Sequence, residues 1–548
     1  MTRRTAPETN KIPFEDVTSK CGVEFKHESG GSGKKWMPET MGSGVAIFDY
    51  DGDGKPDLYF VNGRPWDRGK PDTPGRLYRN LGVTNGSLKF EDVTRKAGLD
   101  FSMYAMGVAA ADIDNDGDQD LIVTGLDEVR LFVNQGNGRF VDASKGSGLP
   151  GKGWWTAAML LDYDKDGSLD LFLGRYVDWS AETDIQCFLN GTNKSYCTPE
   201  RYPPAQSRLF RGDGHGRFSD VTESTGLGGE KLDKTLGAAA FDVNNDGWID
   251  FAVANDTQPN RLWKNLGKGA DGKIHFEDVG MTSGMGVDES GKARGAMGIS
   301  WASLKDDGSW SVAIGNFSNE MMSLYTTKDG EFFADDAISS GLGPATLLPL
   351  KFGVSWNDFD GDGQLDLVVA NGHVEPTISS VQSSVTYEQP AMLFRGAGNG
   401  KLSQIPAESL GDLARPVVGR GLALGDLDGD GSVDIVMTAN GGAPRVLLNR
   451  SGSGSKNVRV RLAGSKLNRD AIGALVTATI AGKAQRRLVS GGDSYLSSSD
   501  RQLFFGLGSQ KKTEKLEVRW PDGTTDSYEN LEAGRSYRLN PGGKADAL

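Results

Sequence analysis

The sequence predicts an all-β chain, a ring of seven small antiparallel sheets followed by a separate β-domain. Three observations predict it. An acidic nine-residue stretch occurs six times, with a seventh, damaged copy; each copy stands between short apolar runs; and a phrase of the form F-x-D-V-T precedes the first copy but is missing after the last. Repetition at intervals of some tens of residues is the mark of a repeat architecture.

The intact copies are DYDGDGKPD from Asp49, DIDNDGDQD from Asp112, DYDKDGSLD from Asp162, DVNNDGWID from Asp242, DFDGDGQLD from Asp358 and DLDGDGSVD from Asp426. Small and apolar residues precede each (GVAIF before the first) and a short apolar run follows (LYFVN after it). This reads as strand, acidic loop, strand. Further along come RLYRNLG, RLFVNQGNGRF, RLFRGDGHGRF and RLWKNLG, whose turn residues read as hairpin connections. Each repeat therefore supplies about four short strands. Phe14 to Thr18 (FEDVT) stands before the first loop, whereas the last repeat ends at LLNRSGSG. Closing the chain into a ring lets the N-terminal strand complete the last sheet and removes the unpaired edge. The predicted architecture is a seven-bladed β-propeller over residues 1–450. Residues 451–456 (SGSGSK) have linker composition, residues 457–541 alternate apolar and polar as a small β-domain does, and residues 542–548 read as a frayed tail.

The composition of the 548 residues agrees: 37% apolar, 24% charged and 76 glycines describe a turn-rich globular chain, with no apolar run long enough to span a membrane. A formal charge of -14 argues against a nucleic-acid partner and for bound cations. The first residues, MTRRTAPETNKIPFEDV, show no apolar segment after the arginines and so no visible secretory leader. Cys187 and Cys197 share the short insertion CFLNGTNKSYC, where a local disulfide is expected, and Cys21 is left over.

Side-chain oxygens stand at positions one, three, five and nine of every intact loop. They are Asp49, Asp51, Asp53 and Asp57; Asp112, Asp114, Asp116 and Asp120; Asp162, Asp164, Asp166 and Asp170; Asp242, Asn244, Asp246 and Asp250; Asp358, Asp360, Asp362 and Asp366; and Asp426, Asp428, Asp430 and Asp434. Glycine at position six permits a sharp turn with positive φ. An anionic, oxygen-only set suits a hard divalent cation, Ca2+ in preference to Mg2+ because it accepts more ligands in irregular geometry. Two carboxylates about 4 Å apart repel by about 4 kcal/mol at an effective dielectric near 20, so a bound cation explains why they are held together. An EF-hand does not fit, because it needs a glutamate at position twelve and flanking helices, whereas Phe60, Val123 and Val253 stand there. About six Ca2+ sites are expected. The damaged copy offers Ser303, Lys305, Asp307 and Ser311 and is predicted to be metal-free, with Lys305 in the ion's place paired to Asp307.

These loops and phrases resemble the FG-GAP (VCBS) repeats of integrin α-subunit propellers. The segments NRDAIGALV from Asn468, FFGLG from Phe504 and VRWPDG from Val518 are similar to the ASPIC/UnbV domain. Together they resemble the cartilage acidic protein (CRTAC) family over nearly the whole chain. The resemblance implies calcium binding and a secreted, periplasmic or cell-surface location. The predicted function is a monomeric binding or adhesion module for a protein or glycan. The alternative is a sugar-active lyase or hydrolase with its site at the propeller mouth.

Candidates for such a site come from AND, NFSNE and NGH, which occupy corresponding points in three repeats and place Asp256, Glu320 and His373 on one face, with His27 and Glu39 in reach of it. The competing reading is that these groups hydrogen-bond blade corners. Convergence in one deep pocket favours catalysis, and pairing with backbone favours binding. Arg211-Gly-Asp213 spells an integrin-recognition tripeptide, but the repeat itself puts a turn there. Asn190 and Asn316 begin N-x-S/T triplets.

Overall fold

The computed structural model describes residues 11–67, 69–464 and 467–548. Residues 1–10, on which the leader expectation partly rests, lie outside them. Among the described residues, seven four-stranded antiparallel sheets precede residue 450. The first is made of Val45–Phe48, Asp57–Phe60, Arg76–Thr84 and Ser87–Asp92, each strand pairing with the next. In every repeat the acidic loop joins the first strand to the second, so all these loops lie at one end of the ring. The first strands touch in succession, and Gly419–Gly425 of the seventh sheet touches Val45–Phe48 of the first. That contact closes the ring. Phe14–Asp16 pairs with Arg445–Asn449 as the outer strand of the seventh sheet, Phe14 opposite Asn449.

Small residues near the axis make the ring tight. Ala105–Ala111 (AMGVAAA) is buried throughout. The glycine opening each G-V-A phrase has a steric cause: a Cβ on Gly44 would fall 1.8 Å from the Leu496 carbonyl oxygen.

Residues 457–547 form two more four-stranded sheets. In one, Asn457–Leu462 lies between Leu503–Gly506 and Ser536–Asn540; the other holds Leu475–Ile480, Lys483–Leu488, Lys515–Arg519 and Thr525–Glu529. Their core is continuous with the ring, for Val458, Val476 and Trp520 share one apolar cluster with Ala109, Leu131 and Leu171. Two expectations are corrected. Residues 542–548 are not a frayed tail: Lys544–Ala547 pairs with Ser536–Asn540, and Ala545 packs on the core. Residues 451–456 are not a free linker, because the Ser451 hydroxyl donates to the Phe359 carbonyl at 2.8 Å and Ser453 and Gly454 are buried.

The segment from Gly491 to Asp500 leaves these sheets and enters the axis of the ring. Its carbonyls accept the N–H of Leu160 (from Gly491, 3.0 Å), Ile299 (from Ser494, 3.0 Å), Val108 (from Leu496, 3.1 Å) and Ile47 (from Ser498, 2.9 Å). At its tip the Tyr495 hydroxyl donates to Met41 O at 2.8 Å, on the side of the ring away from the acidic loops. Five inner strands that would otherwise face an empty channel thus gain backbone partners, counting Leu424, whose carbonyl accepts from Asp500 N at 3.0 Å.

Candidate functional site

Each intact loop is built by the same two devices, and four of the six add a third. Glycine at position six (Gly54, Gly117, Gly167, Gly247, Gly363 and Gly431) has φ between 84° and 109° and donates its N–H to Oδ2 of the first aspartate at 2.7–3.1 Å. The aspartate at position nine opens the second strand, is buried, and accepts two backbone N–H groups. Asp434 takes those of Leu427 and Asn449, both at 2.8 Å. In four loops an arginine on the third strand, or just past its end, meets position three: Arg79 to Asp51 at 2.6 Å, Arg211 to Asp164 at 2.7 Å, Arg395 to Asp360 at 2.6 Å and Arg450 to Asp428 at 2.9 Å.

Carboxylate oxygens within 4.8 Å of one another come from Asp112, Asp114 and Asp120; Asp162, Asp164 and Asp170; Asp358, Asp360 and Asp366; Asp426, Asp428 and Asp434; and, in the first loop, Asp49, Asp51 and Asp53. These clusters could hold a metal ion. Positions one, three and nine form four of the trios; Asp116, Asp166, Asp362 and Asp430 at position five instead accept the N–H of position seven at 2.7–2.9 Å. In the fourth loop Asn244 stands at position three beside Asp242, Asp246 and Asp250, and Arg519 from the C-terminal sheets reaches Asp242 Oδ2 at 2.9 Å.

The residues fit a cation on two further counts. Oδ1 of Asp112, Asp162, Asp242 and Asp426 is buried without a hydrogen-bond partner, an arrangement that is costly for a carboxylate unless something positive meets it. Burial also pushes Asp57, Asp120 and Asp250 up to about 8, and Asp112, Asp162, Asp358 and Asp426 to about 7, with neighbouring carboxylates adding to the effect. Nearby positive charge reverses that preference.

The damaged loop is arranged otherwise. Lys305 does not pair with Asp307, as the sequence suggested. It faces Asp336 at 3.9 Å, while Asp307 takes Lys328 at 3.1 Å and the Ser309 N–H at 3.0 Å. Lys305 is drawn outward because its backbone bridges to Asn399 of the next sheet, where Gly400 leaves room for its side chain. Ser311 bonds Thr326 at 2.9 Å, and Ser303 turns to loop carbonyls.

On the face away from the loops lies a pocket of about 210 Å³ lined by Met37, Met41, Tyr176, Met297, Phe317 and Phe352, with His373 and Asp256 in its wall. The insertion carrying the Cys187–Cys197 disulfide contributes Leu189, Tyr196 and Cys197 to the lining. Tyr495, at the tip of the axial segment, belongs to the same apolar cluster. The cluster continues into an aromatic group: Trp36 meets Trp66 edge-on at 4.9 Å, and Trp66 stacks on Tyr104 at 4.6 Å. Two buried cations fix the backbone behind it. Arg420 donates to Thr40 O at 2.8 Å and Gly372 O at 3.0 Å, and Lys351 to Thr346 O at 2.8 Å.

Asp256, Glu320 and His373 do not form one cluster. Asp256 accepts the Tyr176 hydroxyl at 2.6 Å, His373 Nδ1 accepts the Glu375 N–H at 3.0 Å, and Glu320, outside the pocket lining, accepts the Gly295 N–H at 2.7 Å. Burial pushes His373 down to about 4 and Asp256 up to about 7. His27 accepts the Gly441 N–H, and Glu39 the hydroxyls of Tyr196 and Ser32. In the RGD turn, Arg211 is committed to Asp164 and Asp166, and Asp213 accepts the N–H of His215 and Arg217. Sequence reasoning missed Tyr176, Met297, Phe352, Tyr495 and Arg420; no repeat phrase marks them.

The ASPIC and UnbV family matches residues 464–546, and the FG-GAP-like repeat matches residues 49–123, 112–173 and 358–437. Cartilage acidic protein 1 of Xenopus tropicalis is 27% identical over 514 residues, covering 89% of this chain and 71% of that protein. Cartilage acidic protein 1 of Mus musculus is 23% identical over 506 residues, covering 88% of this chain and 61% of its own length. Among solved structures, an Agrocybe aegerita protein that recognises non-reducing terminal N-acetylglucosamine aligns with a TM-score of 0.38 and 17% identity, over 68% of this chain and 82% of that one.

Proposed function

We propose that this chain, which carries FG-GAP-like repeats and an ASPIC and UnbV domain, is a calcium-loaded binding module that works outside the cytoplasm. One observation carries the reading: the C-terminal sheets cover the acidic-loop end and fill the axis, while the opposite end keeps an open pocket walled by aromatic and methionine side chains. The acidic loops, with Ca2+ in them, hold the blades rigid, and the pocket end recognises a protein side chain or a glycan. The Cys187–Cys197 disulfide supports an oxidising compartment.

When bound, Ca2+ supplies positive charge to the carboxylate trios and the buried Oδ1 atoms. This chain's own residues orient the loops: position six turns the backbone, position nine anchors the second strand, and in four loops an arginine fixes position three.

Binding of a glycan and peptide library is expected to be saturable with calcium present and to be lost in Met297→Trp, which fills the pocket, with a melting scan confirming that the variant is folded. Persistence of binding in that variant places recognition elsewhere. A second reading, catalysis on a sugar, has in its favour that His373 and Asp256, both shifted toward neutrality, share one pocket wall. Turnover of a sugar substrate that is abolished by His373→Gln while binding persists decides for it.

A further inference from the structure

We infer that cation loading of the acidic loops and docking of the C-terminal sheets onto the ring are one coupled equilibrium, each stabilising the other. The inference rests on the cation reading above and adds to it an interdomain role for the loops.

The C-terminal sheets stand directly on the acidic loops. Asn468 N–H donates to Asn115 Oδ1 in the second loop at 3.0 Å, and the neighbouring Asp470 accepts Asp112 N–H at 2.8 Å. Leu467 lies against Gly167 of the third loop. Arg519 meets Asp242 of the fourth at 2.9 Å, and Ala484 N–H donates to Asp306 in the damaged fifth at 3.1 Å. Gly508 N–H donates to Gly361 O in the sixth at 3.0 Å, and the Asn457 amide to Gly431 O in the seventh at 3.3 Å. These contacts read the shape of six of the seven loops, because the loop partners are backbone groups and side chains at turn positions. Asn115, Lys165 and Asn245 have φ of 62°, 59° and 56°, left-handed turn positions next to the docking contacts.

The arginine and the cation do not compete for one atom. Asp242 gives Oδ2 to Arg519 and to the Gly247 N–H at 3.1 Å, and keeps Oδ1 buried without a partner. Arg469 approaches Oδ2 of Asp112 in the same sense at 3.7 Å, with Oδ1 again left over. One oxygen of the carboxylate thus meets the C-terminal sheets while the other stays free for the cation, so both can be engaged at once. Without the inner charge, three or four carboxylates repel one another and the docking edge is lost. Coupling of this kind is reciprocal: whatever loosens docking weakens cation binding by the same factor.

Hydrogen exchange on the full chain, at stepped free calcium set with EGTA and with bound metal counted at each step, tests this. As calcium falls, the amides of Leu475–Ile480 and of Val108 and Ile299, which bond the axial segment, are expected to lose protection at least tenfold, before or together with the outer blade strands. Readdition of calcium restores it. A second arm uses Tyr495→Ala, whose position at the far end of the axial segment touches no loop; its calcium affinity is expected to fall several-fold. C-terminal sheets that stay protected after the loops are metal-free, or a Tyr495→Ala protein whose axial segment exchanges freely at unchanged calcium affinity, overturn the inference while leaving the cation reading standing. Absence of any bound metal at saturating calcium removes both.

Discussion

Asp434 has two roles. Its oxygens take the N–H groups of Leu427 and Asn449, tying the loop to the second and third strands, and they also sit with Asp426 and Asp428. Asp434→Asn keeps the shape but replaces one acceptor by a donor facing a backbone N–H. A loss of about 3 kcal/mol is expected from the unsatisfied buried group and the weakened charge-assisted bond, read by chemical denaturation with calcium present. Gly506 is similarly constrained, since a Cβ there would lie 1.9 Å from Asp358 Oδ2. Gly506→Ala is expected to lower the melting temperature and to remove the sixth loop's cation, a loss of one equivalent in a metal count. The aspartates were legible because six copies of one spacing leave little else for them to be. The arginines that clamp position three were not, because they lie two strands away and nothing in the text of one repeat joins them to the loop. Lys305 was misplaced for a related reason: a lysine in an anion's position suggests a local partner, but Asn399 of the next sheet draws it outward.

The acidic loop, taken as an element, has a pH response whose sign depends on the cation. Folding raises Asp57, Asp120 and Asp250 from 3.8 to about 8, so the folded loops bind more protons than the unfolded chain between those values. Without calcium, the contribution of these three carboxyls to stability is therefore fully present below about pH 4 and is lost as pH rises through 8. With calcium the trend is expected to invert, because the cation needs the ionised form; melting scans at pH 5 and pH 8 with and without calcium check both slopes. The disulfide-bridged insertion is the element that the sequence described least. Its cysteine pair was legible from spacing, but its place in the pocket wall was not, since Tyr196 reaches Glu39 across 157 residues. Reduction of Cys187–Cys197 is expected to free this insertion to proteolysis while the blades stay intact, as loss of a short loop's constraint acts locally.

For the molecule as a whole, the ring and its closure were readable from repetition and from the displaced F-x-D-V-T phrase. The axial segment was not, for GGDSYLSSSD carries no periodicity, and its backbone partners belong to different blades, most of them hundreds of residues earlier. Removal of all bound calcium is expected to lower the melting temperature by well over ten degrees, in a single transition that includes the C-terminal sheets, because a ligand held only by the folded state stabilises by mass action. A calorimetric scan in EDTA showing an unchanged midpoint would falsify the cation reading. The closing strand imposes an order on manufacture. Phe14 leaves the ribosome about 435 residues before its partner Asn449, a wait of roughly 20–90 s at ordinary translation speed. Through that interval the nascent chain carries an orphan strand, open to capture by another copy, so a chaperone or export machinery that shields Phe14–Asp16 is expected to raise the yield of monomer.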